Sequence, residues 1–149
     1  MDDLDRRIIG ELQRDARISL TDLAERLPLS LSATSERFRR LVKSGVLTGF
    51  EAVVDPAAVG RTVEALIDVR LKPGAYSPTM DLDLPQLAGI VEAIHVTGRF
   101  DLQLRVVTRD VPELDQLLAT LIGSVGAEET NTRLILRSQD GFPRPLPLT

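Results

Sequence analysis

The sequence predicts an α+β chain: three short helices in a helix-turn-helix arrangement, then a body with βαββαβ order. Three observations predict it. Apolar residues recur at helical spacing as far as Lys43 and at strand spacing from Val63 onward. Proline and glycine fall at the junctions between these segments. Charge is unevenly shared: residues 1–50 hold nine basic and eight acidic side chains, a net of +1, and the remainder carries −5, giving the chain −4.

Composition narrows the possible functions. Of 149 residues, 43% are hydrophobic and 3% aromatic, with no Trp, so the core is aliphatic. The absence of Cys excludes a disulfide framework, a zinc-thiolate site and a Cys nucleophile. A single His, His95, excludes a multi-His metal centre and argues against a Ser-His-Asp triad. No metal, no cofactor and no catalytic residue is therefore expected. No apolar run approaches the roughly 18–20 residues of a membrane span. The charged opening MDDLDRR is unlike a signal peptide, so a cytoplasmic protein with no membrane partner is expected.

The first helix is expected from about Asp3 to Arg14, with Leu4, Ile8, Ile9 and Leu12 forming one stripe. The second begins at Ser19 or Leu20, carries Leu20, Leu23, Ala24 and Leu27 on one side, and is ended by Pro28. The third starts after Leu31 with Ser32 as its cap and stops at Gly45. The turn around Pro28-Leu29-Ser30 is short enough for a helix-turn-helix. At 100° per residue, Thr34, Phe38 and Leu41 share the inward face of the third helix. Ser32, Glu36, Arg39 and Lys43 then face out, flanked by Ser35 and Arg40. Small hydroxyls near a helix N-terminus let it enter a major groove, and cations further along reach phosphates. Ser30, Ser32, Ser35, Glu36, Arg39, Arg40 and Lys43 are thus the candidate contacts to double-stranded DNA.

Val46–Val54 is β-rich and could form a small wing or a connector. Val63, Ala65, Ile67, Val69 and Leu71 alternate as a strand stopped by Lys72-Pro73-Gly74. Residues 73–85 are Pro-interrupted, with helical tendency toward Gln86-Leu87-Ala88. Strands are expected over Val91–Thr97 and Leu102–Thr108, joined as a hairpin by Gly98-Arg99-Phe100-Asp101. A helix opens at Val111-Pro112, carries Leu114, Leu117, Leu118, Leu121 and Ile122, and is terminated by Gly123 and Gly126; Glu128–Arg137 is the last strand. The domains are then a head (1–50), a connector (51–62), a body (63–140) and a Pro-rich, extended tail (141–149). The body order is the split βαβ, or ferredoxin-like, arrangement. Its two helices cover only one sheet face. The other carries Leu66 and Val107, which predicts a homodimer through the sheet, with two heads reading half-sites one turn apart.

Over Leu4 to about Ser138 the chain resembles the Lrp/AsnC, or feast/famine, family of transcriptional regulators. The resemblance is carried by LDRRIIGELQRDARISLTDLAERL, LSLSATSERFRRLVKSGVLTGFEAVVDPAAVG, VEAIHVTGRFDLQLRVVTRD and ETNTRLIL; RRLVKSGVLTGF and VTGRFD at this separation make it specific. It implies a winged helix-turn-helix joined to a ferredoxin-like regulatory domain, a homodimer or octamer on a pseudo-palindromic operator, and a small effector, typically an amino acid. Position by position, Gly98 and Asp101 match the family's ligand loop, with Arg99 between them, and Thr130 and Thr132 match the threonines opening the last strand. These five are the effector-site candidates the resemblance implies. The chain departs from the family pattern at Pro28, at Ser35 and in the Pro-interrupted stretch before Ile90. His95 reads as a surface or interface residue. The alternative function is a tetrapyrrole (haem-precursor) decarboxylase-like enzyme, since such enzymes pair a similar head and body.

Overall fold

A computed structural model describes residues 1–77, 80–138 and 147–148. The chain forms two compact units, one holding Met1–Val53 and, from the tail, Pro147 and Leu148, the other Val54–Gln139. The expected extended conformation of the tail falls mostly outside the described residues.

In the first unit, α1 (Asp3–Arg14) is opened by a reciprocal box. Asp5 N–H donates to Asp2 Oδ1 at 2.9 Å and Asp2 N–H donates to Asp5 Oδ2 at 3.1 Å. Ser19 caps α2 (Leu20–Glu25). That helix stops at Glu25 with Arg26 as its C-cap, two residues before Pro28: Leu27 N–H turns back to Ala24 O, and the Leu27 side chain is buried. Ser30, not Ser32, caps α3 (Leu31–Lys43). Its extended backbone lets Oγ accept from Ala33 N–H at 3.2 Å, whereas Ser32 lies inside the helix with its hydroxyl 3.0 Å from that of Ser30. Ile8, Ile9, Leu12, Leu23, Leu27 and Leu41 make one core, with Phe38 packed on it and stacked against Phe50, centroids 6.1 Å apart. Residues 46–54 contain no strand and run as the connector, the second of the two readings.

Thr34 faces this core with no solvent exposure, and its Oγ1 has no hydrogen-bond partner. An unpaired buried hydroxyl costs free energy that an isosteric methyl does not. Thr34→Val is expected to raise head stability by about 1 kcal/mol, read as a higher midpoint in thermal unfolding.

The second unit is a four-stranded antiparallel sheet in the order β2-β3-β1-β4, from β1 (Val63–Leu71), β2 (Ile90–His95), β3 (Leu102–Thr108) and β4 (Ala127–Leu134). α4 (Met80–Asp83) and α5 (Val111–Thr120) complete the βαββαβ order. Ala65, Ile67, Val69, Leu102, Leu104 and Val106 meet Met80, Leu84, Leu114, Leu117 and Leu121 in an aliphatic core. Several boundaries differ from expectation. The first body helix is a single turn at Met80–Asp83 continued by a 3-10 turn, Leu84–Gln86, rather than centred on 86–88, because Leu84 supplies the buried side chain. α5 continues as a π turn, Leu121–Val125, that includes Gly123; Gly126, at φ 83°, ends it. β4 stops at Leu134 because its partner β1 begins at Val63: Leu134 pairs with Ala65, and only Ile135 N–H reaches further, to Glu64 O.

The face away from the helices is more charged than Leu66 and Val107 suggest. Arg105 pairs with Glu64 at 3.0 Å, and Arg70 pairs with Glu129 at 3.1 Å. Asp68 accepts from Gln103 Nε2 at 2.9 Å and from Arg133 Nη2 at 2.8 Å. A partner on this face would meet a lattice of already satisfied ion pairs, with Leu66 and Ile94 among them.

Candidate nucleic-acid interface and effector site

Helical phasing of α3 sorts its cations into two kinds. Ser32, Glu36, Arg39 and Lys43 are exposed and recur at 4-3-4 spacing along one stripe, with Ser35 half-buried beside it. Arg39 and Lys43 enter no ion pair or hydrogen bond among the described residues. Arg37 and Arg40, on the neighbouring flank, are both held by α1. Arg37 Nη1 lies 2.7 Å from Asp2 Oδ2 and 2.8 Å from Asp5 Oδ1, and Arg40 Nη2 lies 3.1 Å from Asp5 Oδ1. Arg40 is therefore not a free phosphate contact as expected, although it remains 57% exposed at its side chain. Ser30 likewise spends its hydroxyl on capping.

Asp5 is the residue that sequence reasoning missed. It is 3% exposed and sits at the same helical spacing as Ile8, Ile9 and Leu12. An acid on an apolar stripe is the signal that should have raised the need for a buried partner. Burial pushes its carboxyl up, but the Asp2 N–H and the Arg37 guanidinium outweigh burial and hold it below the usual carboxylate range. The Asp5 N–H and Arg37 do the same for Asp2. Both folded values lie below the unfolded ones, so the stability they confer is complete above the ordinary carboxylate pKa and is lost as pH falls through the lowered folded values. Acid titration followed by circular dichroism is expected to show the head weakening only below about pH 4.

In the second unit the β2–β3 loop turns at Gly98, whose φ of 112° favours a residue without a side chain. Asp101 is fastened on three sides. Its N–H donates to Val69 O at 2.9 Å, its O accepts from Val96 N–H at 3.0 Å, and its Oδ2 accepts from Leu71 N–H at 2.7 Å. No hydrogen bond among the described residues engages its Oδ1. Beside it lies a cavity of about 470 Å³ lined by Leu71, Lys72, Pro73, Gly74, Tyr76, His95, Val96 and Asp101. Tyr76 meets His95 edge-on at 5.6 Å. Of the five effector candidates, the single chain brings only Asp101 to this cavity. Arg99 pairs with Glu129 on β4 and lies 5.3 Å from the centre of the Phe100 ring. Thr130 and Thr132 pair with Val69 and Ile67, on the far side of β1 from Asp101. Lys72 and Tyr76 come to Asp101 through the bend after β1, which periodicity alone does not place, whereas His95 ends β2 and pairs with Leu102, next to Asp101.

A profile for winged helix-turn-helix DNA-binding domains matches residues 1–48, and one for the Lrp/AsnC ligand binding domain matches residues 64–141. This chain belongs to the Lrp/AsnC family. Among relatives of this Lrp/AsnC protein, the HTH-type transcriptional regulator FL11 of Pyrococcus horikoshii is 36% identical over 93% of this chain and 91% of its own. An HTH-type transcriptional regulator of Mycobacterium tuberculosis is 31% identical over 91% and 92%. The feast or famine regulatory protein of M. tuberculosis, solved in complex with L-methionine, superposes with a TM-score of 0.90 at 28% identity, covering 98% of this chain and 99% of that one. The leucine response regulatory protein of the same organism gives 0.87 at 27%, covering 99% and 100%. The Lrp/AsnC chain is accordingly a transcriptional regulator with a DNA-binding head and a ligand-binding body. Its named relatives are regulators, and the decarboxylase alternative finds no support among them. Among the described residues no helix is long and apolar enough to cross a membrane.

Proposed function

We propose that this regulator acts in the cytoplasm as a homodimer or higher assembly, setting two α3 stripes against the half-sites of a pseudo-palindromic operator. An amino acid bound beside Asp101 tunes that binding. The observation that carries the DNA reading is the contrast within α3: Arg39 and Lys43 are exposed and, among the described residues, unpaired, whereas Arg37 and Arg40 are spent on α1. Ser32, Ser35 and Glu36, nearer the helix N-terminus on the same side, are the candidates for base edges. Selection of bound duplexes from a random pool, with and without a panel of amino acids, tests both halves. Recovery of no enriched motif rejects the reading.

For the effector, the cavity supplies one carboxylate, Asp101, and one constitutive cation, Lys72, which suit the ammonium and carboxylate ends of an amino acid. The M. tuberculosis relative solved with L-methionine supports that class of ligand. Gly98 and Arg99 shape the adjoining loop; Thr130 and Thr132 join the site only through a second copy. Asp101→Asn keeps an acceptor for Leu71 N–H while removing the charge. It is expected to weaken the selected amino acid roughly 10- to 100-fold, given about 1.5–3 kcal/mol for a hydrogen bond to a charged group. Calorimetric titration measures this, and unchanged affinity removes Asp101 from the site.

A further inference from the structure

The outward stripe of α3 holds one side chain that a phosphate backbone cannot use. Glu36 is the single acid in α3, among Arg37, Arg39, Arg40 and Lys43. It is exposed and enters no hydrogen bond or ion pair among the described residues. A glutamate four residues before an arginine ordinarily pairs with it along the helix. Here Asp5 takes that arginine instead, holding Arg40 Nη2 at 3.1 Å, and Glu36 is left over.

The chemistry of the stripe separates its members. Arg39 and Lys43 only donate, and Ser32 and Ser35 donate or accept, so each of these suits several groups on a duplex. An ionised Glu36 only accepts. Facing phosphates it would be repelled, against the attraction that Arg39 and Lys43 supply. It stands in the second turn of α3, one turn after Ser32, and the N-terminal residues of a recognition helix are those that meet base edges. In the major groove the donors are the exocyclic amines, cytosine N4 and adenine N6. Adenine sets its N7 acceptor beside N6, so the second oxygen of a carboxylate there meets a lone pair. Cytosine has a C–H edge beside N4 and no such acceptor.

We propose that Glu36 fixes cytosine at one position of each half-site, its carboxylate accepting from the N4 amine. The proposal rests on the reading of α3 as the helix that enters the groove. Glu36 acts mainly against the wrong base: a thymine O4 or a guanine O6 in that place confronts the carboxylate with another acceptor, and neither can relieve its charge.

The test is selection from a random duplex pool with the full-length protein, Glu36→Ala and Glu36→Gln, followed by fluorescence anisotropy on the enriched duplex. The unsubstituted protein is expected to enrich cytosine at one half-site position. Glu36→Ala is expected to lose preference there and keep the rest of the motif. Glu36→Gln is expected to move that position toward adenine, whose N6 and N7 a carboxamide matches. Exchanging that C·G pair for T·A should weaken the unsubstituted protein about 5- to 100-fold and Glu36→Ala by less than about twofold. Cytosine retained by Glu36→Ala overturns the assignment, as does adenine in the unsubstituted motif at the position that Glu36→Ala relaxes. An affinity gain in Glu36→Ala that is equal for every duplex also overturns it, because a merely repulsive surface charge gives that result. A pool in which the unsubstituted protein enriches no motif fails at the earlier step: it rejects DNA recognition by α3, and the assignment with it.

Discussion

Replacing Arg39 and Lys43 together by alanine is expected to lower duplex affinity by about 30-fold per head near physiological salt, because two phosphate contacts and their released counterions are lost. The same replacement should flatten the dependence of log K on log salt by about 1.8 per head. Fluorescence anisotropy across a salt series reads both quantities. The head should remain folded, since neither side chain enters an ion pair or hydrogen bond among the described residues. Arg40→Gln separates the two kinds of cation. Its guanidinium is already engaged by Asp5, so its loss should flatten the salt slope less than loss of Arg39 does. Equal flattening by Arg40→Gln and Arg39→Gln would mean that the contrast within α3 has no bearing on DNA.

Asp5→Ala is expected to destabilise the head by about 2–3 kcal/mol, the sum of a lost acceptor for the Asp2 N–H in the box that opens α1 and a lost hub for two guanidinium groups. Asp5 accepts the Asp2 N–H and holds Arg37 and Arg40, so one carboxylate joins the first turn of α1 to the middle of α3. A unit of some fifty residues has only a few kcal/mol to lose. Thermal unfolding should therefore show the head melting early. DNA affinity should fall with it even though Asp5 touches no nucleic acid. Asp5→Asn retains an acceptor for the cap and should lose less than half as much. Unchanged stability in Asp5→Ala would show that the box and the two arginines are incidental.

The regular elements were legible because period and register follow from side chains a few residues apart. The stripe Ile8, Ile9 and Leu12 and the alternation Ala65, Ile67 and Val69 appear in the structure as buried faces. Element ends were less legible. Ser30 rather than Ser32 caps α3 through the backbone conformation of one residue, and β4 ends where β1 begins, which no local pattern records. The outward stripe of α3 could be read from its 4-3-4 spacing. The division of its arginines could not, because the acids that hold Arg37 and Arg40 are more than thirty residues away. The effector site was least legible. Asp101 was placed by its motif and His95 by the hairpin, but Lys72 and Tyr76 reach it only through the bend that follows β1.

The sequence by itself determined the order of elements, the aliphatic core, the family and the helix that presents charge to solvent, since all of these depend on short-range periodicity and residue type. The tertiary structure alone decided which cations remain free and which side chains surround Asp101. Those outcomes depend on contacts between distant segments, where burial and charge pairing choose among side chains that look alike along the chain.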